Sequence, residues 1–159
     1  MVKLNLGCGK DIRDGYINID IYNEHPSILR YDVSNLYSFE TNSVDEILAL
    51  DILEHFPIDK IDGLVGEWCR VLKSGGELII QTPDVERVFS VFYKQALEGK
   101  ITWERLARII YGGQDYPYNF HYCMFSEQWI KEILQRHNMI DICVTKFNNQ
   151  NMKIYAKYN

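Results

Sequence analysis

Two glycines stand directly after an apolar run, in Leu4-Asn5-Leu6-Gly7-Cys8-Gly9, and an aspartate, Asp20, ends the next one. A glycine after a strand lets the chain turn tightly and lets a ligand lie against bare main chain. A carboxylate ending the neighbouring strand can accept hydrogen bonds from both hydroxyls of a ribose. Alone, G-x-G is also what an ordinary strand-end turn with a solvated aspartate looks like, and it is the pairing with Asp20 that points to a nucleoside. A dinucleotide fingerprint needs a third glycine where Gly7-Cys8-Gly9-Lys10-Asp11-Ile12 has Ile12, which argues against NAD or FAD. The Gly-Lys-Ser/Thr of a phosphate-cradling loop is also missing.

The histidines are the other candidates for chemistry. His55 closes Asp51-Ile52-Leu53-Glu54-His55, and His121 lies in an aromatic-rich stretch. Either is a candidate general base; the competing readings are a cap on the segment after His55 and a packed loop histidine at 121. His25 precedes a proline in a surface loop, and His137 ends a helix, where it complements the helix dipole. Asp51 and Glu54 read as supporting or solvated carboxylates rather than an acid/base pair. No serine or cysteine sits in a nucleophile elbow, and the spacing reveals no metal cluster.

These residues need a scaffold, and the periodicity supplies one. Strand patterns cover residues 2–6, 16–21, 30–33, 44–51 and 77–82. A helical stripe runs through Ile61, Leu64, Val65, Trp68, Val71 and Leu72, with Lys73-Ser74-Gly75-Gly76 as a glycine stop. Asp84, Thr102 and Ser126 are positioned to cap three further helices, and Phe125 with Ile130 forms a staple around the last. Residues 140–147 and 152–158 flank Asn148-Asn149-Gln150-Asn151 as a hairpin. Strand and crossover repeated, then a hairpin, predicts an α/β, Rossmann-like doubly wound sheet, mostly parallel, as a single domain over 1–159. Ligands on such sheets sit at the carboxyl ends of the strands.

Only residues 10–15 separate Gly9 from Tyr16, room for little more than one helical turn at about 3.6 residues each. The first crossover helix is therefore expected to be shortened or absent. The strands agree: Lys3 and Asn5 alternate with Val2, Leu4 and Leu6, and Tyr16, Asn18 and Asp20 with Ile17, Ile19 and Ile21. Strands covered by helices on both faces read as continuous apolar runs. One face at this end is thus expected to be open to solvent or to a second copy of the chain, as in a homodimer.

The chain has 159 residues, 47% of them hydrophobic, with 17 Lys and Arg against 22 Asp and Glu for a net charge of −5. That balance is unsuited to holding nucleic-acid phosphates by bulk charge. The four cysteines form no C-x-x-C pair, and no stretch is apolar enough to span a membrane. Reduced thiols and a cytoplasmic location are the expectation.

Leu4-Asn5-Leu6-Gly7-Cys8-Gly9, Ile19-Asp20, Ser43-Val44-Asp45-Glu46-Ile47, Leu53-Glu54-His55 and Glu67-Trp68-Cys69-Arg70-Val71-Leu72-Lys73-Ser74-Gly75-Gly76-Glu77-Leu78 together resemble class I S-adenosylmethionine-dependent methyltransferases, and among them the small proteins of the methyltransferase type 11 group. The resemblance runs in order from residue 3 to about residue 83. It implies a sheet order of 3-2-1-4-5-7-6 and S-adenosyl-L-methionine as cofactor. It implies that Gly7, Cys8 and Gly9 meet the methionine part, Asp20 the ribose and Ile21 the adenine. Asp32 and Val33 would approach the adenine amino group, and Leu50 and Asp51 the methionine end. Many members carry an acid where this chain has Asn5, which can offer only a dipole to the ligand's ammonium end.

Methyl transfer from a sulfonium is an in-line displacement that depends mainly on alignment. The expected acceptor is a small molecule or a sugar-type hydroxyl, oxygen being slightly favoured over nitrogen, with His55 or His121 deprotonating or orienting it. Tyr111, Tyr116, Tyr118, Phe120, Tyr122 and Phe125 crowd one segment. They read first as the small core of a helical and aromatic insert at about 84–122, and second as a stacking surface for a sugar ring. A non-catalytic module that binds the cofactor for a partner enzyme is the alternative.

Overall fold

The computed structural model describes all 159 residues. Five strands, β1 (Lys3–Leu6), β2 (Ile17–Asp20), β3 (Ile28–Arg30), β4 (Val44–Leu50) and β5 (Leu72–Pro83), lie parallel. β6 (Met139–Lys146) and β7 (Asn151–Tyr158) form the closing hairpin, and β7 pairs antiparallel with β5. The sheet order is β3-β2-β1-β4-β5-β7-β6, as the resemblance implies.

One sheet face is apolar in every strand. Leu4, Leu6, Ile19, Ile47, Ala49, Leu78, Ile80 and Ile154 are buried there in one cluster with α1 (Ile61–Val71) and α5 (Glu127–Arg136). The predicted stripe of α1 is the buried one, with Cys69 added. Gly66 leaves room for the His137 ring, which a Cβ there would approach to 2.9 Å. The glycine stop is misplaced, however. The chain turns extended at Leu72 and enters β5 at once, so Ser74-Gly75-Gly76 lies in a break of register within the strand rather than in a helix cap.

No helix lies between β1 and β2, in agreement with the short spacing. The row Asn5, Leu48, Ile79, Tyr155 and Cys143 crosses the opposite face of the sheet. Its near end is covered by the 7–16 loop, held by two buried amides. Asn5 Nδ2 donates to the Asp11 carbonyl at 2.7 Å and to Asn18 Oδ1 at 2.9 Å. Asn18 in turn accepts from the Arg13 N–H and donates to the Arg13 carbonyl, each at 3.0 Å. A helix satisfies its own backbone, but a loop over a sheet needs side-chain partners, and the polar residues of the alternating strands provide them. Beyond the loop, Lys3 pairs with Glu46 at 2.6 Å and Tyr16 donates to the same carboxylate. At the far end of the row Tyr155 and Cys143 are exposed.

β3 ends three residues earlier than its pattern predicts, so Asp32 and Val33 sit in the segment after it. The crossover from β3 to β4 is a loop rather than a helix. Arg70 anchors it: the guanidinium donates to the Leu36 and Phe39 carbonyls and Thr41 Oγ1, each at 3.1 Å, and pairs with Glu67 at 2.7 Å. Glu67 accepts from the Leu36 N–H at 2.8 Å.

Asp84, Thr102 and Ser126 all cap as expected, each accepting from a backbone N–H of the first turn. After Asp84 the helical stretch is α2 (Val85–Arg87), a π turn (Val88–Phe92) and α3 (Tyr93–Leu97), followed by α4 (Trp103–Tyr111). These helices bury a second, small cluster of Val88, Ala96, Leu106 and Ile109. No helix is long and apolar enough to cross a membrane.

Candidate functional site

The carboxyl ends of β1, β2 and β4 open onto a cavity of about 1170 Å³, walled on its far side by the 115–122 segment. Gly7, Gly9, Asp20, Ile21, Asp32, Val33, Asp51 and His55 all line it. The site is assembled around Asp20. One carboxylate oxygen accepts from the Gly9 N–H at 2.8 Å, and the other accepts from the Tyr22 and Asn23 N–H groups, both at 2.8 Å. Asn23 returns a hydrogen bond from Nδ2 to the Gly9 carbonyl. The turns after β1 and β2 are thus one unit, and the aspartate both builds it and faces the cavity.

Gly7 and Gly9 adopt φ of +61° and +52°. They do different work. A Cβ on Gly7 would lie 2.5 Å from Ile52 Cγ1, so that glycine is required for packing against the segment after β4. A Cβ on Gly9 would meet nothing within 4 Å, so its main chain is bare to the cavity.

Asp51 follows β4 in the left-handed region, at φ +52°. Its carboxylate accepts from Gln81 Nε2 at 2.7 Å and Asn151 Nδ2 at 2.8 Å, and burial raises its pKa above the ordinary value. A residue held in a sparsely populated conformation by β5 and β7 together is a feature that clusters at functional sites.

Three expected cofactor residues are not at the wall. Asn5 is 2% exposed and spends its amide on the 7–16 loop, which explains why an amide rather than an acid stands there. The Cys8 side chain is buried, with burial raising its thiol to about 11. Leu50, the last residue of β4, is absent from the lining, its place taken by Asp51 and Ile52.

His55 lies on a 3-10 turn (Leu53–His55) just after β4. His121 is not itself a lining residue but packs edge-on against His55, with ring centroids 5.0 Å apart. The Tyr122 N–H donates to the Glu54 carbonyl at 2.8 Å and fastens the two segments together. Burial depresses the pKa of both imidazoles, His55 adding to the effect at His121. Glu54 is 1% exposed and accepts from Thr82 Oγ1 at 3.1 Å; burial, then Asp51, push its carboxyl up to about 8. Glu54, His55 and His121 form a group of metal-ligand type, with one ligand atom from each within 4.8 Å of the others. Spacing could not reveal it, because His121 is 66 residues from His55.

The aromatic segment is wall rather than core. Tyr116, Tyr118, Phe120 and Tyr122 are exposed and line the cavity, and Phe125 is the buried member, stacked on Trp129 at 4.8 Å. The loop closes on the β2 end through Tyr22, whose ring stacks on Tyr116 at 5.3 Å and meets Tyr118 edge-on at 6.0 Å. Tyr22, Asn23 and Ile52 are site residues that sequence reasoning missed. A tyrosine and an asparagine just past the key aspartate were the available signal. The charged lining is Asp20, Glu24, Asp32, Asp51 and Asp115 against Lys10 and Arg30, and Arg30 is paired with Glu24 at 3.1 Å. Such a cavity favours a cationic ligand over a pyrophosphate.

Residues 8–80 match the methyltransferase domain family. No curated protein is similar enough in sequence to register as a relative. Among solved structures, the chain is similar to an S-adenosylmethionine-dependent methyltransferase from Archaeoglobus fulgidus at 15% identity and TM-score 0.67, covering 98% of this chain and 85% of that one. It is also similar to the 1,6-didemethyltoxoflavin-N1-methyltransferase of Burkholderia thailandensis, solved with bound 1,6-didemethyltoxoflavin and S-adenosylhomocysteine, at 16% identity and TM-score 0.62, covering 99% of this chain and 71% of that one. A third is an O-methyltransferase family protein from Burkholderia thailandensis at 14% identity and TM-score 0.56; the match covers 83% of this chain and 35% of that one, so the chain spans about a third of its length.

Proposed function

We propose that this chain is a class I S-adenosylmethionine-dependent methyltransferase, on the match of residues 8–80 to the methyltransferase domain family and the shared fold, and that it methylates a hydroxyl of a small or sugar-type acceptor. The observation that carries the reading is the union of the Asp20 unit with a large, net-acidic cavity. Bound there, S-adenosylmethionine supplies an electrophilic methyl group on a sulfonium. The residues present fit that cofactor. Asp20 already accepts three main-chain hydrogen bonds, two on one oxygen and one on the other, and since each oxygen of a carboxylate offers about two lone pairs, the oxygen that takes the Gly9 N–H keeps one for a ribose hydroxyl. Gly9 leaves its main chain open to the methionine part. Ile21, Asp32 and Val33 form the adenine end of the wall. The surplus of carboxylates suits the cationic sulfonium and ammonium.

The acceptor lies between His55 and the aromatic wall. Tyr116, Tyr118 and Phe120 offer flat, rigid area of the kind that stacks on a sugar ring. His55 faces the acceptor hydroxyl and orients it, with His121 packed edge-on against His55. With the cofactor bound, an acceptor oxygen held there would be set in line with the methyl group and the sulfur, and its proton would pass to water. Alignment of the three reacting atoms supplies most of the acceleration.

Calorimetry with S-adenosylhomocysteine tests the reading. The wild-type chain should bind it, and Asp20→Asn should weaken binding by at least about tenfold, since one hydrogen bond to a charged group contributes about 1.5–3 kcal/mol. Undiminished binding by that variant would remove Asp20 from the ribose. Turnover against a panel of hydroxyl and amine acceptors then decides the atom methylated.

A further inference from the structure

We propose that His55, His121 and Glu54 bind one transition-metal ion of the zinc class at the acceptor end of the cavity; as a site for the acceptor hydroxyl, this rests on the functional reading above. The argument starts from how the imidazoles are held. His55 Nδ1 lies 3.0 Å from the Phe120 carbonyl and His121 Nδ1 lies 3.1 Å from the Ile109 carbonyl. A carbonyl only accepts, so each Nδ1 carries the proton and each Nε2 is left with its lone pair. Two imidazoles fixed in one tautomer by main-chain carbonyls are what metal-ligating histidines show. Here the two carbonyls come from different segments, α4 and the 115–122 loop, and both rings are brought together in one place.

The third donor is a buried carboxyl with no cation beside it. Glu54 is 1% exposed, and Thr82 is the only side chain that hydrogen-bonds it. Neither Lys10 nor Arg30, the two cations of the lining, is paired with it. A carboxyl buried with no charge partner either keeps its proton or gives it up to a metal.

The geometry is close to a bound state. With one ligand atom from each residue within 4.8 Å of the others, a centre exists no more than about 2.8 Å from all three, and side-chain movement of about 0.7 Å reaches the ~2.0–2.2 Å bonds of zinc. Two neutral imidazoles and one carboxylate select zinc, cobalt or nickel over magnesium or calcium, which prefer oxygen ligands throughout. Three protein ligands leave coordination positions open, as catalytic sites do. His55 faces the cavity, so an open position is available to an acceptor oxygen. Coordination acidifies the hydroxyl, which releases its proton to water. The oxygen pair then forms the bond to the methyl carbon as the carbon–sulfur pair returns to sulfur. The imidazoles act as ligands in this step.

The test uses the whole chain, stripped with a chelator and titrated with zinc by calorimetry, and with cobalt by visible absorption. Wild type should take up one equivalent, with the absorption bands of a nitrogen-ligated cobalt site. His55→Ala and His121→Ala should each weaken uptake by more than about 100-fold, the upper end of what even an outer partner costs. Glu54→Gln, which keeps the shape, should weaken it by at least about tenfold. S-adenosylhomocysteine binding, measured on the same samples, should persist in all three. If His121→Ala fails to fold, His121→Gln takes its place with the same readouts. The proposal is overturned if the wild type takes up no zinc, or if uptake survives the histidine substitutions. Zinc uptake with no S-adenosylhomocysteine binding would instead overturn the functional reading and leave the metal site standing as a binding site.

Discussion

Gly7 and Gly9 are two residues apart and share the same backbone region, yet alanine at each should fail for a different reason. Any Cβ at positive φ costs about 1–2 kcal/mol. For Gly9→Ala that is the whole structural cost, because the new methyl meets nothing within 4 Å. In a chain of 159 residues it lowers the thermal midpoint by about 2–8 °C, at about 2–4 °C per kcal/mol. Cofactor binding should suffer separately. The methyl occupies space that the methionine part needs, an overpacking of about 1–3 kcal/mol, which is a loss of about 5- to 150-fold in affinity. Gly7→Ala adds a collision 2.5 Å from Ile52 Cγ1 and 2.6 Å from Cδ1. Its cost becomes about 2–5 kcal/mol, with the overpacking included. Ile52→Ala removes both of those atoms, so the double variant should recover at least about 1 kcal/mol relative to the sum of the singles. Thermal melts and S-adenosylhomocysteine calorimetry on the four proteins measure all of this. A folded Gly9→Ala that binds normally would show that the ligand does not lie on this main chain. Equal melting losses at both positions would show that Ile52 does not press on Gly7.

Acid should loosen the β3–β4 crossover. The hydrogen bond from Arg70 holds the Glu67 carboxyl below the ordinary value of 4.5. A depressed folded pKa contributes stability above the unfolded value, and that stability is lost as pH falls through the folded one. Melting points measured downward from about pH 5 should therefore decline, and Glu67→Gln should decline less steeply below about pH 4.5; an unchanged slope would place the acid sensitivity elsewhere. Thiol labelling gives an independent check on the burial pattern. Burial holds Cys8 at about 11 and Cys69 and Cys123 at about 12, while Cys143 is exposed. At about pH 8 a thiol reagent should modify one cysteine quickly in the folded chain and all four once it is unfolded, because only the thiolate reacts. Fast labelling of two or more native thiols would contradict the packing around β1 and α1.

The features legible from residue order are those that short-range physics controls. Period-two alternation reports which sheet face is buried, and the six residues from Lys10 to Gly15 are too few for a normal crossover helix, which is absent between β1 and β2. Asp84, Thr102 and Ser126 could be read as caps because a cap acts on the N–H groups two or three residues ahead. The Gly7–Gly9 turn and Asp20 were legible for the same reason: each follows its strand directly. What sequence could not decide is where distant segments meet. Asn5 reads as a ligand residue until the fold brings the Asp11 carbonyl and Asn18 to its amide. The aromatic run reads equally well as core or wall, and only the contact of Tyr116 with Tyr22 turns it toward the cavity. Glu54, His55 and His121 become one group because β4 ends where the 115–122 loop crosses it. Separations of that size are set by strand register and loop closure, which depend on the whole chain at once, and neither propensity nor local pattern carries that information.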